Sequence, residues 1–167
     1  MIREVQLSDA ESICNLYNYY IEETIITFED QLLQPSDIEE RIWKTRLMMG
    51  YPYIVYEMDN QVVAYAYLEK WRSRPAYDIS METSIYVDKD FQGKGIGNRL
   101  YSELIRRGKE LNLHSLIGVI SLPNDVSRNL HRKLGFQLTG HIREAGRKFD
   151  KYIDIEYWQL ILKSERD

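Results

Sequence analysis

Three glycines fall within five residues at Gly93, Gly95 and Gly97. They follow the β-branched and aromatic run Glu82-Thr83-Ser84-Ile85-Tyr86-Val87 and precede Ile96, Leu100, Tyr101, Leu104 and Ile105, which recur at helical spacing. That order predicts a strand, a tight turn and a helix. A glycine-rich turn that opens a helix exposes backbone N–H groups without intrahelical partners at the positive end of the helix dipole, so the stretch is a candidate anion site. Spacing separates the readings. A P-loop needs Ser or Thr after its Gly-Lys, and Lys94 is followed by Gly95. A dinucleotide fingerprint needs its third glycine where Asn98 stands. What remains is Gln92-x-x-Gly95-x-Gly97, or an ordinary turn that starts a helix.

Two further groups could carry chemistry. Arg72 and Arg74 lie beside Trp71, and planar guanidinium forks suit bidentate capture of carboxylate or phosphinate oxygens. An exposed pair of loop arginines fits the same residues equally well. Cys14 is the one cysteine, which excludes an internal disulfide and a cysteine-cluster metal site, and no metal is expected. A catalytic thiol stays open at that position. However, its neighbours Ile13, Leu16, Tyr17, Tyr20 and Ile21 form an apolar helical stripe, where packing is the plainer role.

The elements that must hold these groups can be read in order. Ile2 to Gln6 suggests a short strand, and Ser8 with Glu11 stands at capping-box spacing ahead of a helix to about Glu22. Ser36 with Glu39, directly after Pro35, opens a second helix that ends near Met49 and Gly50. Tyr53–Tyr56 and Val62–Leu68 flank the turn pair Asp59-Asn60 and predict a hairpin. The next strand begins at Tyr77 and runs into the glycine turn. Ser115–Ile120 is a buried-strand candidate, Val126, Leu130 and Leu134 make a short helix closed by Gly135, and Gln137–Ile142 and Ile153–Leu162 finish the chain as strands. The sum is a mixed α/β order with antiparallel and parallel pairings.

At 167 residues the chain is expected to form one domain over 1–167. The net charge of -4 and the lack of a basic run argue against nucleic acid as a partner. No apolar run is long enough to span a bilayer, and Met1-Ile2-Arg3-Glu4 opens no signal-peptide core, so no membrane role and a cytoplasmic location are expected.

The glycine loop resembles the coenzyme-A pyrophosphate loop of the GNAT N-acetyltransferases. A second run, Asn124-x-x-Ser127-x-x-Leu130-His131-x-Lys133-Leu134-Gly135-Phe136, resembles the late motif of the same superfamily. A third narrows the match: Trp71-Arg72-Ser73-Arg74-Pro75-Ala76-Tyr77-Asp78, with Glu82–Val87 and Ile120-x-Leu122-Pro123-Asn124-Asp125, looks like the phosphinothricin and methionine-sulfoximine acetyltransferases. Many superfamily members carry Tyr where this chain has His131.

The resemblance implies a GNAT fold, a central mixed but mostly antiparallel sheet flanked by helices, with acetyl-CoA as co-substrate. It makes Glu82 the candidate general base; without it, a solvent-facing strand Glu would be the reading. Alternation puts Glu82, Ser84 and Tyr86 on one strand face and Thr83, Ile85 and Val87 on the other. It gives His131 a role as substrate orienter, helper of the base or acid toward the thiolate, since an unperturbed imidazole titrates near pH 6.5. Alone, His131 reads as a surface helix histidine. The coenzyme would be held by the backbone of Ile85, Tyr86 and Val87 in the manner of an added strand. Gln92, Gly93, Lys94, Gly95, Ile96, Gly97 and Asn98 would take the pyrophosphate, with Asn124 and Ser127 at the pantetheine arm and Lys133 near phosphate. Arg72, Arg74 and Phe28 would contact the acceptor.

The function so implied is N-acetylation of the α-amine of a small amino acid or analogue such as methionine sulfoximine, methionine sulfone or phosphinothricin. Protein N-terminal or polyamine acetylation, and a coenzyme-A-binding sensor without turnover, are the alternatives. A homodimer is expected by resemblance, with apolar surface near Tyr152, Tyr157 and Trp158.

Overall fold

The computed structural model describes residues 1–162. Strand β1 (Ile2–Glu4) leads through a 3-10 turn into helix α1 (Ala10–Glu23). Helix α2 (Pro35–Ile42) continues as a π-turn over Trp43–Met48, and Gly50, at φ +70°, turns the chain into β2 (Tyr53–Met58). Asp59 and Asn60 both take left-handed backbone, as short Asx side chains tolerate, and return the chain as β3 (Gln61–Lys70). There follow β4 (Ser80–Val87), α3 (Ile96–Glu110), β5 (Ser115–Ser121), α4 (Asp125–Lys133), β6 (Gln137–Lys148) and β7 (Lys151–Ile161).

The strands form one sheet in the order β1-β2-β3-β4-β5-β7-β6, antiparallel at every junction except β4–β5. Period-two alternation gives it two apolar faces. Ile54, Ala64, Ala66 and Leu68 pack against Leu100, Tyr101 and Leu104 of α3. Tyr53, Val55 and Tyr65 point the other way, onto Ile13, Tyr17, Ile38 and Ile42 of α1 and α2. The stripe predicted around Cys14 is therefore core, and the buried thiol lies 3.1 Å from the Leu33 carbonyl.

The feature that matters most for function is where β4 and β5 stop pairing. Their register runs from Ser80 opposite Ser115 to Thr83 opposite Gly118. Beyond that, β4 continues to Val87 beside β3, and β5 to Ser121 beside β7, with no partner between them. The sheet forks at its centre.

Some expected boundaries move, each for a local reason. The two capping boxes sit two residues earlier than Ser8/Glu11 and Ser36/Glu39: the Gln6 N–H donates to the Asp9 carboxylate at 2.8 Å and the Gln34 N–H to Asp37 at 2.7 Å. Arg3 also bonds Asp9 at 2.8 Å, which fixes that carboxylate at the first turn, while Pro35 takes the first position of α2. Tyr77 lies in a 3-10 turn over Pro75–Tyr77, so β4 starts only at Ser80. The terminal strands are longer than Gln137–Ile142 and Ile153–Leu162 suggested. Their register is broken between Ile142 and Gly146, where Glu144 takes positive φ and its N–H donates to Asp154 at 2.8 Å. That irregularity hides the alternation by which a strand is recognised.

Candidate active site

Glu82 is the third residue of β4, opposite Glu69 on β3 and Ile117 on β5, immediately before the fork. Directly opposed residues of an antiparallel pair share a face. Two carboxylates thus stand side by side, with Tyr67 and Ser84 as the next opposed pair. Burial pushes the Glu82 carboxyl up to about 7, the neighbouring Glu69 charge adds to the rise, and Arg72 opposes it. The predicted alternation holds: Tyr86 joins the tyrosine cluster under α1, 4.9 Å from the Tyr17 ring, whereas Thr83 faces Tyr101 of α3.

Glu82, Ser84, Ile85 and Tyr86 line one wall of a cleft of about 290 Å³ in the fork, and Val119, Ile120 and Ser121 line the other. Asn124, the N-cap of α4, Ser127 and His131 within that helix, and Phe28 also line the cleft. Asn124 caps α4 by accepting the Ser127 N–H at 3.0 Å through Oδ1, which leaves its side-chain NH₂ free to donate. Phe28 lies against Gly146 of the β6–β7 hairpin, where a Cβ would come within 2.5 Å of its ring. The buried Lys148 amine donates to the Thr27 carbonyl at 2.9 Å and ties the Phe28 loop to the same hairpin.

His131 is buried, so neither the surface reading nor a role in both directions near neutrality applies to it. Burial lowers its pKa to about 4, and the ring is neutral at pH 7. Nδ1 lies 2.8 Å from the Ser127 carbonyl, which can only accept, so Nδ1 carries the proton. Nε2 is then an acceptor for the Tyr101 hydroxyl at 3.0 Å, and the Thr83 hydroxyl lies 2.6 Å beyond. The imidazole packs directly on the β5 backbone at Gly118, where a Cβ would fall 2.3 Å from Nε2.

At the far end of β4, the glycine turn is held open. Tyr20 donates its hydroxyl to the Val87 carbonyl and accepts from Gln92 Nε2 at 3.2 Å, anchoring the strand end and the loop together. Gly93 and Gly95 take φ of +73° and +75°, a conformation that strains residues with a Cβ. The N–H groups of Ile96, Gly97 and Asn98 precede the bond from Arg99 N–H to the Gly95 carbonyl at 3.2 Å and have no helical partner of their own. Lys94 curls back, with Nζ donating to the Asp90 carbonyl at 2.9 Å over the Phe91 ring.

A second cavity of about 760 Å³ adjoins the cleft and is lined by Arg41, Lys44, Tyr65, Tyr67, Glu69 and Arg72. Glu29, Tyr67 and Glu69 border both spaces. The Arg72 guanidinium stacks 4.7 Å from the Trp71 ring. Arg74, by contrast, precedes the 3-10 turn and is exposed, and Lys133 is exposed at the last turn of α4; neither lines the cleft or this cavity. Among the described residues, no group of three or more His, Cys, Asp or Glu side chains is placed to hold a metal ion.

The sequence matches the family described as acetyltransferase (GNAT) domain over residues 2–157. The chain belongs to the GNAT acetyltransferase family. Among its GNAT relatives, a phosphinothricin N-acetyltransferase of Streptomyces viridochromogenes is 34% identical over 95% of this chain and 85% of that protein. An L-methionine sulfoximine/L-methionine sulfone acetyltransferase of Salmonella typhimurium is 32% identical, covering 96% of this chain and 94% of that one. A GNAT superfamily phosphinothricin acetyltransferase from Sinorhizobium meliloti, solved in complex with acetyl-CoA, superposes with a TM-score of 0.94 at 31% identity, covering 100% of this chain and 91% of that one.

Sequence reasoning missed four residues of this GNAT site. Tyr20 and Tyr101 were hidden within apolar helical stripes, and Glu69 at the end of a strand carried no motif. Gly118 did leave a signal, because a lone glycine inside a strand marks close approach by another group.

Proposed function

We propose that this GNAT enzyme transfers the acetyl group of acetyl-CoA to the α-amino group of a small amino acid or analogue of the methionine sulfoximine, methionine sulfone or phosphinothricin kind. The observation that carries the reading is the fork. An interior strand edge over Ser84–Val87 lies between a carboxylate near its own titration point and a turn of unpartnered N–H groups. That geometry fits an acetyl donor with an extended amide arm and a pyrophosphate. Ile85 to Val87 would pair with the arm, the side-chain NH₂ of Asn124 would donate to it, and Gly95 to Asn98 would bind the pyrophosphate. Bound there, the donor supplies a thioester carbonyl for attack.

The chain's own residues do the rest. With a titration point of about 7, Glu82 is ionised often enough at neutral pH to take a proton from an ammonium group and expose the amine lone pair. The neutral His131, locked between Ser127 and Tyr101, braces the cleft wall instead of supplying an imidazolium proton. Arg72, which lines the larger cavity, would meet the acceptor's acidic group, and Phe28, which lines the cleft, would serve as an apolar wall. The larger cavity sets Arg41, Lys44, Lys70 and Arg72 against Glu29 and Glu69, and that excess of cations disfavours a polyamine acceptor. Purified protein given acetyl-CoA and L-methionine sulfoximine, L-methionine sulfone or phosphinothricin is expected to release free coenzyme-A thiol. No release with any of the three would reject the substrate class.

We further propose a homodimer that works in the cytoplasm, where its acetyl donor is supplied. Trp158 cannot serve the interface as the sequence suggested, because it is buried and donates Nε1 to Glu156 at 2.8 Å; Tyr157 is turned onto Trp71. Leu138, Ile142, Tyr152 and Ile161 leave an apolar surface on the same hairpin. Light scattering at micromolar concentration should give the mass of two chains, and a monomer's mass would rule the dimer out.

A further inference from the structure

Glu69 is a carboxylate for which the acetyl-transfer scheme has so far had no use. It stands directly across from Glu82 in the β3–β4 register, on the same face, and is one of three residues that border both the cleft in the fork and the larger cavity beside it. Its carboxylate therefore belongs to the wall that the two spaces share. The other two residues at the junction do not compete for the position. The Glu29 carboxylate is engaged by Arg41 at 2.9 Å, and Tyr67 is a neutral phenol.

We propose that Glu69 is a second acceptor-binding residue that acts with Glu82 as a carboxylate pair receiving the acceptor's ammonium group. This deepens, and rests on, the amino-acid acetyltransferase reading above. An ammonium has three N–H donors, so it can bond one oxygen of each carboxylate and keep the third bond for solvent or the cleft wall. When Glu82 takes a proton, the ammonium becomes the neutral amine, Glu82 becomes the carboxylic acid, and Glu69 stays ionised. The amine lone pair then forms the new C–N bond as the C–S bond breaks. Two protons leave the nitrogen overall, the first to Glu82 before attack and the second, once the C–N bond has formed, to the departing thiolate or to solvent, and the electron pair of the C–S bond goes to sulfur.

The surrounding charges agree with this division. Glu69 is exposed at the end of β3 and is faced by Arg41 of α2 and Lys44 of the π-turn, both of which favour its ionised form. Glu82 is faced by Arg72 from the segment after β3 and by Glu69 itself, and Tyr101 of α3 lies across the sheet. Glu69 therefore has more cationic support, and Glu82 is the member that gains a proton first. Two like charges this close favour either a shared proton or a cation between them.

The test uses wild type, Glu69→Gln and Glu69→Asp. Calorimetry with L-methionine sulfone and with its 2-hydroxy analogue isolates the ammonium. Wild type should prefer the amine, Glu69→Gln should bind the amine about 10-fold more weakly and lose most of that preference, and Glu69→Asp should restore part of it, since a hydrogen bond to a charged group carries this order of magnitude. In parallel, ¹³C NMR of the labelled Glu side chains without acceptor should show Glu82 titrating at lower pH in Glu69→Gln than in wild type. An unchanged Glu82 titration, or an amine preference that survives in Glu69→Gln, overturns the proposal. Neither readout needs turnover and the titration needs no acceptor, so a chain that neither binds nor acetylates the three amino acids would count against the substrate class while the Glu82 titration still decides the pair.

Discussion

Glu82→Gln is expected to lower turnover at pH 7 by about 10²- to 10⁴-fold, the usual contribution of a positioned base, while acetyl-CoA binding stays near wild type. The two effects separate because the coenzyme site proposed here is mostly main chain, whereas Glu82 alone has a titration point of about 7 beside the fork. The sign follows from that value. Wild-type kcat/KM should rise with pH through about 7 as Glu82 loses its proton, and fall below it. The Gln variant has no such limb. Its remaining activity should climb only at alkaline pH, where the acceptor amine loses its proton unaided. A Gln variant that kept most of its turnover, or the wild-type pH profile, would remove Glu82 from the chemistry. Steady-state kinetics from neutral to alkaline pH, with coenzyme binding measured alongside, decides it.

Gly118→Ala should be the most damaging change of a single methyl group in the molecule. The added carbon would sit 2.3 Å from Nε2 and 2.7 Å from Cδ2 of the buried His131 ring, with the strand backbone fixed by pairing on both sides. The ring must move, and with it goes the Tyr101 hydrogen bond. Overpacking of this kind costs about 1–3 kcal/mol, which for a domain this size lowers Tm by about 2–4 °C per kcal/mol. Transfer activity should fall too, because His131 lines the cleft. His131→Ala removes the obstructing ring, so Gly118→Ala should cost much less in that background than in wild type. Thermal unfolding of both single variants and the double variant measures this coupling. Strict additivity would mean the two positions do not press on each other.

Much of the architecture was legible because it follows from periodicity. The stripe Ile13, Leu16, Tyr17, Tyr20, Ile21 could only be one face of a helix, and the helix after Gly95 and the hairpin at Asp59-Asn60 were marked by both spacing and turn residues. The site was legible in a different way. Glu82, Gln92, Gly95, Gly97, Asn124 and His131 stood in motifs, and the fold brings them to one cleft and the turn beyond it. Arg72 and Arg74 show the limit of that approach: two residues apart, they part company, Arg72 lining the larger cavity while Arg74 caps the 3-10 turn outside it. The protonation of His131 was not legible either. It depends on burial against Gly118 and on Tyr101, a contact made across thirty residues of chain.

The fork has one more consequence, for how this protein can change over time. In the binding mode proposed above, donor recognition would be lodged mainly in peptide groups: the open edge of Ser84–Val87 and the N–H groups of Ile96 to Asn98. Peptide groups are the same whatever side chain they carry. Substitutions at Ile85 or Tyr86 are then judged by how they pack on α3 or α1, and the residues around the larger cavity by what acceptor they admit. Asn124, whose side-chain NH₂ would donate to the arm, and the left-handed glycines Gly93 and Gly95 would then be the residues tied to the donor by their own identity. A lineage built on this scaffold could therefore exchange most of its side chains, and trade one acceptor for another, without having to reinvent its hold on the acetyl donor.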